Sequence, residues 1–580
     1  MQVGFLLIAI VLSVFAGRLV QLQGLDPGSY AQMAAAEGLV SVTLPATRGE
    51  ILDRNGEPLA ETVDGRMIVA DPAVTAKVAP ELATMLSREL GVDYIETLER
   101  LRVEDSRFQY VARQVPASKA EQVVADAAER FADDKGRPFA GLMTERDPLR
   151  VYPNDDVAAN LVGFLGTSRN DGSAQALAGL EASFNTYLSG TDGEARYQVG
   201  AGNQIPLGEN TVTPAVDGRD LELTIDGGLQ FYTQRVLQKT VERSAGESGI
   251  AVIMDSRTGE LLALADYPTY DASDPYRYDD SLFKSSALTD VYEPGSVEKV
   301  LTVSALVDAG LGFKEQRFRV PGQLDRQDSP IGDYWDHGML RLTLAGVVAK
   351  SSNVGTVLAA DQFRKGQLRR YLTAFGLGQR TGIGLGGETR GLLPQGDAWT
   401  SQVGDRIAFG QSLSVNAVQM AAAVNTIANG GVRIDPSLVR GSASTNKGAR
   451  TGTDEATSRR VISAEAAHET MLMMERVVDP EAGVAGRAQV PGYRVAGKTG
   501  TAQRVGEDGG YDGSTTVSFA GFAPADDPRF TIYVLVHSPR PGSGGGSVAG
   551  PAFSQLMSYT LRRYGVAPTG EKPNRTPVEW

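Results

Sequence analysis

A serine hydroxyl is a poor nucleophile until a neighbouring group takes its proton. The stretch "YEPGSVEKVLTV", residues 292–303, supplies such a neighbour. Ser296 and Lys299 stand three residues apart at the start of an apolar helical run. Residues i and i+3 share a helix face, so the lysine can sit beside the serine. Lysine acts as a base only when its pKa falls from about 10.4 toward neutrality, which burial and a second nearby cation both promote. Backbone N–H groups at a helix start suit a developing oxyanion at Ser296. The same spacing suits a helix cap beside a surface lysine, and these residues alone leave both readings open.

Context separates Ser296 from its rivals. S-x-x-K occurs at Ser281/Lys284, Ser296/Lys299 and Ser444/Lys447. "DDSLFKSS" is a short acidic loop and "GSASTNKG" is low-complexity, whereas Ser296 follows Pro-Gly and precedes the apolar "VLTVSALVDAG". A second serine could pass the proton to a leaving group, and "AKSSNVGT" offers Ser351, Ser352 and Asn353. K-T-G occurs once, at Lys498, Thr499 and Gly500, within "AGKTGTA". In a strand, Lys498 and Gly500 face one way and Thr499 and Thr501 the other. Gly500 would admit a second backbone, such as an extended peptide substrate. Lys498 would place positive charge near a substrate carboxylate and near Lys299. A rival reading uses the same stretch: "GYRVAGKT", residues 492–499, fits the phosphate loop of an NTPase. That loop needs a buried strand before it and a helix N-terminus after it. "RAQV" and "GTAQRVGEDGG" are poor material for either.

Composition narrows the chemistry further. The 580 residues call for two or more domains. A net charge of −14 without a long basic run argues against nucleic acid as a partner. With no cysteine there are no disulfides, thiolate nucleophiles or cysteine-based metal sites. The three histidines, His337, His468 and His537, form no HExxH, and no GxSxG elbow exists. Lysine or a carboxylate is the expected base, and no metal or cofactor is expected.

The elements that must position these residues are legible in outline. Residues 3–17 form an apolar run that spans about 22 Å as a helix, extendable past Arg18 to Leu22. No clean small-x-small cleavage site follows closely, so residues 1–22 are expected to be an uncleaved membrane anchor, with the bulk of the chain outside the cytoplasm. Residues 23–224 read as a mixed α+β region, with strands in "RMIVADP" and "FQYVARQVP" and amphipathic helices in "ELATMLSREL" and "KAEQVVADAAERF". Residues 225–565 open with a helix in "LQFYTQRVLQKTVER" and a hairpin in "SGIAVIMDSRTGELLALADYP", turning at Gly259. "YRVAGKTGTAQ", "TTVSFAGFAP" and "RFTIYVLVHSP" read as three further strands. A sheet begun near residue 250 is thus interrupted by a largely helical section and completed near 490–537: an α/β (α+β) arrangement. "GSASTNKGARTGTDEATSR", "VGEDGGYDGST", "RPGSGGG" and the Pro-rich tail 566–580 are expected to be mobile.

In order, Ser296/Lys299, Ser351/Asn353 and Lys498/Thr499/Gly500 resemble the three motifs of penicillin-binding proteins and serine β-lactamases. The middle motif here is SSN. "RGEILDRNGEPLA" (48–60), "RVYPNDDVAANLVGFLG" (150–166), "GLEASFNTYLSG" (179–190), "ANGG" (428–431) and "GYRVAGKTGTAQ" resemble class B penicillin-binding proteins. "LPATRGEILDRNG" and "FGQSLSVNAVQMAAA" resemble its division branch, with the elongation branch as the alternative. The resemblance implies a transpeptidase domain with a central antiparallel sheet flanked by helices, an elongated non-catalytic pedestal of dimerisation type, and a single-pass anchor in the cytoplasmic membrane. It implies that Ser296 attacks a stem pentapeptide ending in D-Ala-D-Ala, that Lys299 takes its proton, and that Ser351, held near Asn353, serves the leaving amine. Lys498, Thr499 and Thr501 would hold the terminal carboxylate, with Gly500 admitting the peptide. The N–H groups of Ser296 and Thr501 would form the oxyanion hole. Implied partners are β-lactams, a membrane glycosyltransferase of the SEDS family and other divisome proteins. "AGVAG" has Val484 where this family would carry threonine.

Overall fold

The computed structural model describes residues 10–18, 39–167, 174–200, 203–204, 211–326, 329–506 and 508–580. Residues 10–18 are helical, and no helix among the described residues is long and apolar enough to cross a membrane. The rest of the expected anchor, 1–9 and 19–22, lies outside the described residues.

The described residues pack as two compact units, drawn from 1–49, 62–149 and 189–219 and from 50–61, 150–188 and 220–580. Two N-terminal segments, 50–61 and 150–188, pack with the C-terminal unit. Ile51–Leu52 pairs in parallel with Leu221–Glu222. The Asp53 carboxylate accepts from the N–H groups of Asn55, Glu57 and Gly227, fastening this turn to the following helix. Arg150 and Glu181 form a buried ion pair at 2.7 Å, joining the "RVYPN" and "GLEAS" segments. In the first unit, strand Gly65–Ala70 runs between Gln109–Pro116 and Leu142–Arg146, antiparallel to both. Helices Ala79–Leu90 and Ala117–Arg130 lay Leu82, Leu86, Val123 and Ala127 onto its core.

The second unit is organised by α1 (Gly227–Ser244), β1 (Ser248–Asp255), β2 (Leu261–Tyr267), α2 (Lys299–Asp308), α3 (Leu344–Lys350), α4 (Asn353–Ala360), α5 (Ala417–Ala428), α6 (Ala464–Glu475), β3 (Ala496–Val505), β4 (Tyr511–Ala523), β5 (Phe530–His537) and α7 (Gly545–Arg563). The five strands form one sheet in the order β2-β1-β5-β4-β3. Every pairing is antiparallel. The sheet is begun and finished by distant parts of the chain, as expected. The turn between β1 and β2 uses Gly259 at φ +78°. β5 is central and buried at every position, which explains its largely apolar sequence "FTIYVLVH". Along β1, Ile250, Val252 and Met254 join the core that includes α5, while Ala251 and Ile253 join the core that includes α1 and α7. That is the two-residue period of a strand buried on both faces. Helix α5 is buried along its whole length and starts at an Asn416–Gln419 capping box.

Two segments expected to be mobile are folded. Residues 441–459 contain the pair Ala443–Ser444 with Arg450–Thr451, and the adjoining Ser458–Arg460 pairs with Val432–Ile434. The end of the tail is docked. Thr343 N donates to Val578 O at 3.1 Å, and Thr343 Oγ1 donates to Pro577 O at 2.6 Å. Trp580 Nε1 donates to Leu342 O at 3.2 Å. The guanidinium groups of Arg317 and Arg341 lie 5.0 and 5.6 Å from the Trp580 ring. The seat is written into α3. A Cβ at Gly346 would stand 1.8 Å from Val578 O, so this helical position must lack a side chain. Gly346→Ala, which by helix propensity alone would stabilise α3 by about 1 kcal/mol, is expected to release the tail. Hydrogen exchange of residues 574–580 should rise sharply in that variant; unchanged protection would refute the docking.

Candidate active site

Ser296 sits on a single 3₁₀ turn, Gly295–Val297, that runs into α2. It does not act as a cap: neither that turn nor α2 has a capping side chain. Glycines lock the turn against its surroundings. Gly295 has φ +54° and donates its N–H to Gly410 O at 2.9 Å. A Cβ on Gly410 would lie 1.9 Å from Gly295 O. On the other side, a Cβ on Gly500 would meet Ser518 Oγ at 2.2 Å and Pro294 O at 3.0 Å. One backbone that Gly500 admits is therefore the protein's own, at Pro294 just ahead of the Ser296 turn.

The SSN motif forms the elbow between two helices. Ser351 ends α3 in the left-handed region, at φ 59°, and Ser352 caps α4 by accepting from Gly355 N. This turned backbone aims the Ser351 carbonyl at Lys299, whose Nζ donates to it at 2.6 Å and to Asn353 Oδ1 at 2.7 Å. Lys299 is fully buried. Burial lowers its pKa to about 7, against the attraction of Asp333 and Glu298, which raises it. A neutral amine has two N–H bonds and one lone pair. Ser351 O and Asn353 Oδ1 take both N–H groups, leaving the lone pair for a proton from elsewhere. Glu298, also fully buried, is pushed well above the carboxylate range by burial and accepts from Thr302.

Lys498 is fully buried and donates to Ser351 Oγ at 2.7 Å and to Thr499 O at 3.1 Å. Burial, followed by repulsion from Lys299, drives its pKa well below the usual lysine range. The strand alternation holds: Thr499 and Thr501 line an open cleft of about 670 Å³, together with Ser296, Ser351 and Asn353. Lys498 lies buried behind them, hydrogen-bonded to Ser351 and Thr499. Its charge reaches the cleft through Ser351 and Thr499. β3 is the edge strand of the sheet, so alternate backbone groups are free on its outer side.

The competing motifs fall away. Ser281 and Ser444 are exposed, and Lys284 is paired with Asp290 at 3.0 Å on the surface. "GYRVAGKT" enters β3, which continues to Val505; no helix begins after Thr499, so no phosphate cradle forms and the NTPase reading is overturned.

Two residues carried too little signal to be singled out from the sequence. Asp333 and His337 lie in the loop after the short strand Ile331–Gly332, with side chains 0% and 5% exposed. Asp333 touches three successive residues of the SSN elbow, through Ser352 Oγ, Asn353 N and Val354 N. The only hint is an acid and a histidine four apart, ahead of the SSN helix. Tyr334, Arg406 and Phe409, which line the cleft, carry no signal at all.

The penicillin binding protein transpeptidase domain matches residues 249–558, and the penicillin-binding protein dimerisation domain matches residues 43–223. Penicillin-binding protein PbpB of Mycolicibacterium smegmatis is 34% identical over 97% of this chain and 90% of its own length. Peptidoglycan D,D-transpeptidase FtsI of Escherichia coli is 30% identical over 97% and 92%. The crystal structure of penicillin binding protein 3 from Mycobacterium tuberculosis complexed with aztreonam has a TM-score of 0.70 and 30% identity, covering 93% of this chain and all of that one. The chain belongs to the class B penicillin-binding proteins of the division branch, and its cleft lies within their transpeptidase domain.

Proposed function

We propose that this protein is a serine D,D-transpeptidase that cross-links peptidoglycan stem peptides at the septum. The observation that carries the reading is Lys299: fully buried, so that its pKa is lowered to about 7, and with both N–H groups of its neutral form engaged by the SSN elbow. An extended peptide ending in D-Ala-D-Ala adds along the free edge of β3, with its carboxylate at Thr499 and Thr501. Ser296 Oγ attacks the carbonyl carbon of the penultimate D-alanine and gives its proton to Lys299 Nζ. The oxyanion is held by the N–H groups of Ser296 and Thr501. Ser351 Oγ accepts from Lys498, so its own hydrogen is free to pass to the leaving nitrogen, and the proton that Lys299 took from Ser296 replaces it, leaving Lys299 neutral again. The C–N bond breaks, the terminal D-alanine departs and an ester remains on Ser296. An amine from a neighbouring stem peptide attacks that ester; the C–O bond to Ser296 breaks and the amine's proton passes through Lys299 to the Ser296 oxygen, making the cross-link and restoring the hydroxyl. β-Lactams mimic the D-Ala-D-Ala end and trap Ser296 as an ester.

Residues 1–22 anchor the chain in the cytoplasmic membrane, with the cleft on the extracytoplasmic side; the apolar run 3–17 supports this. The glycan chains are made by a separate SEDS-family glycosyltransferase within the divisome. Two measurements test the assignment. The full chain in detergent should label covalently with a fluorescent penicillin. Given lipid II alone it should polymerise no glycan, while adding the glycosyltransferase should yield cross-linked product. Absence of labelling in folded protein, or glycan polymerised by this chain alone, would overturn the proposal.

A further inference from the structure

Asp333 grips the SSN elbow at several points, although no motif names it. Oδ1 accepts from Asn353 N at 2.5 Å and Val354 N at 3.1 Å. Oδ2 accepts from Ser352 Oγ at 2.7 Å and lies 3.0 Å from His337 Nε2. The carboxylate is therefore buried but fully partnered, at the positive end of the eight-residue helix α4. A helix cap alone would need no more. Ser352, however, already caps α4, and the residue before Asp333 holds the other end of Asn353: Asn353 Nδ2 donates to Gly332 O at 3.0 Å. Gly332 and Asp333 thus grip the side chain and the backbone of Asn353 together. That grip decides which end of the amide faces Lys299, and it is the oxygen that accepts from Nζ.

We propose that Asp333 is a positioning residue for acyl transfer: by clamping the first turn of α4 it orients Asn353 and Ser351 around Lys299. The inference rests on the reading of Lys299 as the base for Ser296. The titratable groups facing Lys299 are Glu298 beside it on the chain, Asp333 from the loop and Lys498 from β3. Of these, Asp333 contributes the largest attraction to the protonated form. Removing its charge should therefore let Lys299 lose its proton at lower pH. A cap that serves only stability would leave that titration where it is.

The test is the pH profile of acylation by a fluorescent penicillin, measured on the full chain in detergent. Asp333→Asn keeps the size but loses the charge. It is expected to slow acylation about 10- to 100-fold, the scale of a displaced catalytic group, and to shift the acid limb to lower pH. Asp333→Glu keeps the charge but displaces the oxygens, so it should be slow with the limb near its wild-type place. If Asp333→Asn does not fold, His337→Ala carries the test: acylation slowed several-fold at an unchanged melting temperature supports the clamp, and a wild-type rate overturns it. A wild-type limb and rate in Asp333→Asn would also overturn the proposal. A wild-type enzyme with no acid limb near pH 7 would instead remove the Lys299 reading on which the inference stands.

Discussion

Ser296→Ala yields a folded protein that takes no penicillin and forms no cross-links, while Ser281→Ala and Ser444→Ala remain near wild type. All three serines satisfy S-x-x-K, so the experiment separates spacing from environment. Ser296 lines the cleft one helical turn from a fully buried lysine, wedged by Gly295, Gly410 and Gly500. Ser281 is exposed, and the lysine three residues on is neutralised by Asp290 in solvent. Ser444 lies exposed on a two-residue strand. Neither can desolvate a lysine, so neither can lower its pKa. Mass spectrometry of a penicillin-treated tryptic digest decides the matter. A penicilloyl adduct on Ser281 or Ser444, or any adduct in Ser296→Ala, would sink the assignment.

Lys299→Ala should keep Ser296 yet lose about 10²- to 10⁴-fold in acylation rate, the usual worth of general-base assistance. Lys299→Arg should not restore it, since a guanidinium stays protonated. In the wild type the rate should fall as pH drops through about 7, because the protonated amine has no lone pair for the Ser296 proton. The same depression links to stability. Between about 7 and the ordinary lysine value the unfolded chain binds a proton that the folded chain lacks, so this group makes stability rise with pH across that window. Stopped-flow acylation from pH 5 to 9 checks the rate. Rapid acylation of Lys299→Ala, or a flat profile, would exclude lysine as the base.

Much of the fold and the site is legible in the residues themselves. The two-residue alternation of "AGKTGTA" puts Thr499 and Thr501 on the face opposite Lys498. The apolar stretches within β1, β2, β5 and the second half of β4 announce a sheet completed after a helical insertion, because a strand buried on both faces is rich in hydrophobic residues. Asp333 is not legible. Its loop has no period, and its partners Asn353 and Val354 come from a helix separated from it by a strand and another helix. Nor is the docked tail: a Pro-rich segment reads as mobile, and its seat is assembled from Gly346, Arg317 and Arg341, far away in sequence.

By itself the sequence determined the chemistry's ingredients: a serine, two lysines and an SSN elbow, at spacings that local backbone geometry turns into faces of helices and strands. Only the tertiary structure decided which serine is activated and how. A lysine's pKa depends on how much water is removed and which charges remain nearby, and both are sums over neighbours from distant segments. Lys299 is buried by its own helix, but its hydrogen-bond partners come from the α3–α4 elbow, its chief opposing charge from Asp333, and the cation it repels, Lys498, from β3. No local stretch encodes that sum, because it exists only once the sheet is closed and the helices are packed against it.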